Sequence, residues 1–342
     1  MRLLEPKLAF YRLYDVADEI ELSALDWPRA ALRRPRSPIK LAEPPAELAL
    51  GTAVVAGHEG ELRARVFPFG VVSVRLLVPL GAALTLEEAG PQVLSLEPKD
   101  DVFEAALKAV AERLRPALYR PLEAPSEEEF SVFFFSGTDP AQPASQLLHE
   151  LDFLPLVLGE AEVFSPQVRE ELLRMAFSYT EEDLAVLGFE RLLLYDSEGV
   201  WDVADLVEFV HAEILELAYY DRLLTRQLAD LPEALARYSP WRYRHYERLR
   251  RRLMQVHAEV TEVRARMEAA LKITEDFFYA RVYRAAAELY GAQELAETTR
   301  EKLLALSTLY EMITEEQNFA RAQAVEVGIF ALILFEVLRA LL

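Results

Sequence analysis

Glu208 and His211 stand three residues apart in the run ADLVEFVHAEILEL, a spacing that puts a carboxylate and an imidazole on one face of a helix. With Glu213 and Glu216 close by, this resembles half of the donor set of a di-metal carboxylate bundle, which needs two E-x-x-H motifs and two further glutamates. Only one copy is present, so the group is read as part of a solvated helix face and no metal is assigned. The acids Glu181, Glu182 and Asp183, which follow Tyr179 and Thr180, are read in the same way, as the charged first turn of a helix.

The strongest charge feature is YSPWRYRHYERLRRR at 238–252. Arg242, Arg244, Arg248, Arg250, Arg251 and Arg252 are set against the single Glu247 and interleaved with Tyr238, Trp241, Tyr243 and Tyr246. Guanidinium groups neutralise phosphate and aromatic rings stack on bases, so this pattern suits RNA or an anionic membrane surface. It equally suits the start of a helix whose arginines pair with acids elsewhere in the chain. Those acids are in surplus: 57 against 37 basic residues gives a net charge of −20, so the molecule as a whole repels polyanions and any such contact must be local.

The rest of the chemical inventory is negative. G-x-G-x-x-G, the phosphate-binding P-loop, H-E-x-x-H and G-x-S-x-G are absent, there is no cysteine, and the five histidines are scattered. No catalytic residue, cofactor, small-molecule substrate or DNA-binding motif is therefore assigned, and the expectation is a protein that is not an enzyme. A single asparagine, nineteen prolines and five methionines fit a thermophile, and an N-terminal segment carrying Glu5, Asp15, Asp18 and Glu19 does not read as a signal peptide. A cytoplasmic location is expected, with room for peripheral contact on the inner membrane.

The elements that must carry these groups fall into three stretches. Residues 1–47 read as an N-terminal arm with a basic, proline-punctuated connector around Arg33, Arg34 and Arg36. Residues 48–235 read as a mixed α/β body, divisible into related subdomains 48–138 and 139–235. Its strand signals are LALGTAVVA, ELRARVF, GVVSVRLLV, SVFFFS and FERLLLYD, and its helix signals are 102–118, Ser165-Pro166 as cap and first turn, and a helix from Asp202 to about Leu228. Residues 236–342 read as a long helical hairpin. Apolar positions recur at alternating steps of four and three over 249–277 and again over 303–341, with a break at Gly291, which predicts two antiparallel, coiled-coil-like helices. The fold class expected is thus α+β, a body followed by a hairpin.

Near the C-terminus, Val327 to Phe335 is an uncharged run of nine residues, shorter than the ~20 a membrane span requires. Ile329, Phe330, Leu332, Ile333, Leu334, Phe335, Leu338, Leu341 and Leu342 surround that helix almost completely. The run is read as a buried helix or an oligomer seam, with Ile329, Phe330, Ile333, Leu334, Phe335 and Leu338 as the contact residues and shallow or assembly-dependent membrane contact as the alternative.

VFPFGVV (66–72), SYTEEDL (178–184), LLLYD (192–196), ELAYYDRLL (216–224) and VEVGIFALILFEV (325–337) together resemble the sporulation-related RMD1 family, also called DUF155, and its uncharacterised bacterial relatives. The resemblance implies a non-enzymatic organiser. In eukaryotic relatives it implies association with mitochondrial membranes through the C-terminal helix and support of organellar translation. The combined expectation is a homo-oligomeric scaffold or adaptor, the alternative being a peripheral binder of RNA or anionic lipid.

Overall fold

The computed structural model describes residues 1–25, 32–33, 45–81, 84–96, 98–150, 153–160, 162, 164–236, 251, 254–255, 257–258, 261, 265 and 277–341. The mixed body is a nine-stranded sheet. Its strands are β2 (Lys7–Ile20), β3 (Leu32–Arg33), β4 (Ala46–Val55), β5 (His58–Val66), β6 (Val71–Pro79), β7 (Leu118–Phe135), β9 (Ala176–Phe177), β10 (Asp183–Leu187) and β11 (Arg191–Asp196). They are ordered β3-β4-β5-β6-β2-β7-β11-β10-β9, and every neighbouring pair is antiparallel except β7 with β11. A small two-stranded sheet joins β1 (Arg2–Leu4) to β8 (Gly137–Asp139).

The N-terminal arm expected over residues 1–47 needs correction. β2 is the central strand, flanked by β6 on one side and β7 on the other, and Leu8, Ala9, Tyr11 and Leu13 are buried. A strand buried on both faces does not alternate cleanly between apolar and polar residues, so KLAFYRLYDVADEI carries a weak period-two signal. The acids Glu127–Glu129 likewise lie within β7, which begins well before the SVFFFS run.

One sheet face carries Leu62, Ala64, Val66, Val72, Val74, Leu76, Phe133 and Phe135. It packs with α1 (Leu86–Ser95), α2 (Asp100–Leu114), α3 (Ala144–Glu150), α4 (Leu154–Leu158) and α5 (Pro166–Leu173) into the main hydrophobic core. Local chemistry fixes several of these helix starts. Thr85 and Glu88 form a reciprocal capping box on α1, and the Ser165 hydroxyl accepts from the Val168 N–H at the start of α5, with Pro166 at the first helical position. The hairpin from β5 to β6 ends at Gly70, whose φ of 95° and close approach to the Ala17 carbonyl leave no room for a side chain.

The opposite face is covered by the first half of α6 (Asp202–Ala236) and by α7 (Phe277–Leu289). Phe209 packs with Phe67 and Phe69, Trp201 stacks on Phe134, and Arg281 lies over Phe177. After a break at Gly291, α8 (Ala292–Leu341) runs for fifty residues.

The chain divides into two compact units, 1–216 with 266–293 and 217–265 with 294–342. This differs from the division at 235/236 read from the sequence, because α6 is continuous through the boundary and α7 belongs with the sheet. In the second unit Leu217, Tyr220, Leu224, Leu303 and Leu306 are buried and Lys302 bonds Asp221 at 2.6 Å. Most of the first four-three pattern, 249–277, lies outside the described residues.

Candidate functional site

Strand alternation concentrates charge on the α6 side of the sheet. On β5 it sends Arg63 and Arg65 to the same face, and the register then builds two rows across the sheet. Arg63, Arg75, Tyr11 and Phe130 form one; Glu47, Arg65, Ser73, Leu13 and Glu128 form the other. Asp205 and Glu208 of α6 lie over them. The Arg65 Nη1 donates to Asp205 Oδ1 and to Glu208 Oε2, both at 2.5 Å, and Arg63 donates to Glu47 at 2.6 Å.

Burial sets the electrostatics of this cluster. It pushes the Glu208 carboxyl above its ordinary range even though Arg65 opposes the shift. It also pushes the Tyr11 phenol up to about 12. Burial would lower the Arg65 guanidinium, yet Glu208 and Asp205 hold it well above its usual value, so it stays charged. Glu47 is pulled the other way: burial would raise it, but the hydrogen bond from Arg63 and the nearby charges of Arg65 and Arg75 bring it below its ordinary value.

His211 lies one helical turn further along. Its ring is stacked on Phe130 at 4.6 Å and 8° and is covered by Tyr290 at 4.3 Å. Phe130 stacks in turn on Tyr11 at 4.3 Å. His211 Nδ1 is 3.7 Å from Glu128 Oε1, and among the described residues neither ring nitrogen has a hydrogen-bond partner. Glu213 accepts a 2.7 Å bond from the Tyr283 hydroxyl of α7, whose ionisation is pushed out of reach by burial and by that carboxylate.

The solvated helix face expected for these residues is therefore corrected: Glu208, His211, Glu213 and Glu216 are all buried. Among the described residues no group of His, Asp and Glu is placed to hold a metal. What the arrangement does chemically is clamp a helix to a sheet through paired charge. The signal available in the sequence was the R-x-R alternation in ELRARVF, which presents two cations on one strand face.

The acids at 181–183 also need correction. They do not start a helix but lead through a turn into β10, beside a concavity of about 630 Å³ whose walls include Tyr179, Phe278 and Tyr279. Three of its carboxylates hold turns together. Asp183 accepts from the Tyr179 and Thr180 N–H groups at 2.6 and 2.7 Å, Glu182 accepts from Ser197, and Asp196 accepts from the Glu198 and Val200 N–H groups.

Of the arginine stretch, Arg251 is an exposed helical residue, while Arg242, Arg244, Arg248, Arg250 and Arg252 lie outside the described residues. The apolar group on α8 is resolved: Ile329, Phe330, Ile333, Leu334, Phe335 and Leu338 are between 53 and 70% exposed. Among the described residues no helix is long and apolar enough to cross a membrane.

Residues 6–201, from the start of the central strand to the residue before α6, match the family described as "Uncharacterized protein MJ0711, N-terminal domain". The chain belongs to that family. A similar relative is "Uncharacterized protein MJ0711" of Methanocaldococcus jannaschii, 22% identical over 216 residues, which is 63% of this chain and 66% of the relative. The chain thus matches just under two thirds of that protein's length. The family match takes in the whole nine-stranded sheet and stops before α6, α7 and α8, the last of which carries the exposed apolar run.

Proposed function

We propose that this protein is a non-enzymatic scaffold or adaptor that assembles with copies of itself through the last turns of α8. One observation supports the reading above the others. Ten large apolar side chains between Val325 and Leu338 are at least half exposed, and they lie on all sides of the helix. Covering the exposed part of each contributes on the order of 1 kcal/mol, roughly 10 kcal/mol per copy. That is comparable with the ~4–15 kcal/mol that association costs. One partner helix covers a single stripe, so a bundle of more than two copies fits best.

Within this reading residues 236–342 form a long antiparallel, coiled-coil-like hairpin, and the chain is kin to the RMD1/DUF155 organisers. The location is cytoplasmic, and a secondary reading, favoured by the reversal of the chain's charge at 242–252, makes that stretch a contact for RNA or an anionic membrane surface. Light scattering on the full chain in detergent-free buffer at micromolar concentration tests assembly: a multimer is expected, and Phe330→Asp with Ile333→Asp should return it to monomer. A wild-type chain that is already monomeric overturns the reading. Retention on RNA or anionic vesicles that falls steeply with added salt would support the secondary one.

A further inference from the structure

The sheet has a notch. β7 is eighteen residues long, but β11 pairs only with its last part, Ser131–Phe135, whereas β2 runs beside it from Leu118 to Phe134, through one bulge, on the other side. The β10–β11 hairpin turns back at Gly188–Glu190. Below that turn, among the described residues, no strand continues beside Glu127–Phe130.

The orientation of the open edge follows from one hydrogen bond. The Ser131 N–H donates to the Glu190 carbonyl at 2.9 Å, so the main-chain groups of Ser131 face β11. Alternation along a strand then turns the N–H and C=O of Glu129 and Glu127 the same way, into space that a neighbouring strand would occupy. That space is a cleft of about 1010 Å³, walled by Phe10, Leu96, Pro98 and Phe103 and bordered by Phe189, which is 68% exposed at the hairpin tip. Its carboxylates, Asp100, Glu127, Glu128, Glu129 and Glu190, outnumber its three cations, and one of those, Arg12, is already engaged at 2.8 Å by Asp100 and at 2.9 Å by Glu129.

We propose that this notch is a strand-addition site, at which an extended segment of a partner protein, alternating basic and apolar residues, pairs with β7 along Glu127–Glu129 and continues the sheet. Unpaired main-chain groups supply the affinity in such contacts and side-chain pockets supply the selectivity. The acids select for lysine or arginine, and the apolar wall takes the alternate residues. The same edge of a second copy is a poor occupant, because it would set acid opposite acid. This contact is separate from the self-association through α8, and either can fail without the other.

The test uses the full chain and a fluorescent nine-residue peptide of alternating lysine and valine, titrated by anisotropy at near-physiological salt. Saturable binding is expected, weakened at least tenfold when every peptide nitrogen is methylated, absent for the glutamate–valine counterpart, and weakened at least threefold by Glu127→Lys. Hydrogen exchange at the Glu127 and Glu129 amides should slow at least tenfold on binding. Equal affinity for the methylated peptide overturns the proposal, as does a lack of binding or protection of both amides in the protein alone.

Discussion

Arg65 and Glu208 are 143 residues apart in the chain and 2.5 Å apart in the fold, where their contact fastens α6 to the sheet. Glu208 and Arg65 are both buried, and Asp205 is the second acceptor for the same guanidinium nitrogen. A buried pair of this kind adds little beyond a well-packed apolar substitute, but breaking it leaves a charge stranded. Arg65→Met should therefore destabilise by about 3–5 kcal/mol, seen as a lower denaturant midpoint, and adding Glu208→Met in the same chain should recover part of that loss.

Two carboxylates of this cluster should respond to pH with opposite sign. Glu208 is raised above its ordinary 4.5 by burial, so the folded state holds its proton longer and the contribution to stability falls as pH climbs above that value. Glu47 is lowered from 4.5 in spite of its burial, mainly by the Arg63 hydrogen bond, so its contribution is full above that value and is lost as pH falls. Measured against wild type, the melting temperature of Glu208→Gln should rise from about pH 4.5 towards neutrality. That of Glu47→Gln should rise as pH drops below about 4.5.

Among the described residues His211 is held by ring stacking and not by hydrogen bonds. His211→Phe keeps a ring between Phe130 and Tyr290, whereas His211→Ala opens a cavity there. The alanine variant should be less stable than the phenylalanine variant by about 2 kcal/mol or more in thermal or denaturant unfolding. Equal losses would point to a role for the imidazole nitrogens.

Gly70 tests the turn that joins β5 to β6. A Cβ built there meets the Ala17 carbonyl oxygen at 1.7 Å, on a backbone with φ of 95°. Gly70→Ala should cost at least about 3 kcal/mol, while Gly199→Ala, also at positive φ but with nothing within 4 Å, should cost about 1 kcal/mol. Urea midpoints for the two variants decide between crowding and backbone strain.

By itself the sequence determined the local elements wherever a single rule acts over a few residues. Strand-like runs mark β4, β5, β6 and β11, by alternation in ELRARVF and by β-branched and apolar content in the others, and the Ser165-Pro166 pair marks the start of α5, since such runs and caps depend on near neighbours alone. It likewise announced the apolar run on α8 and its break at Gly291. Tertiary structure decided the rest. Only pairing across the sheet makes Lys7–Ile20 a central strand, and only the packing of α6 turns Glu208 and His211 from a solvated face into a buried one. The notch beside Glu127 depends on where β11 begins relative to β7, a register between segments some sixty residues apart that no local pattern carries. The physical reason is the same in each case: burial and register are set by which distant surfaces meet, and the free energy of those contacts overrides the weak preference of each segment on its own.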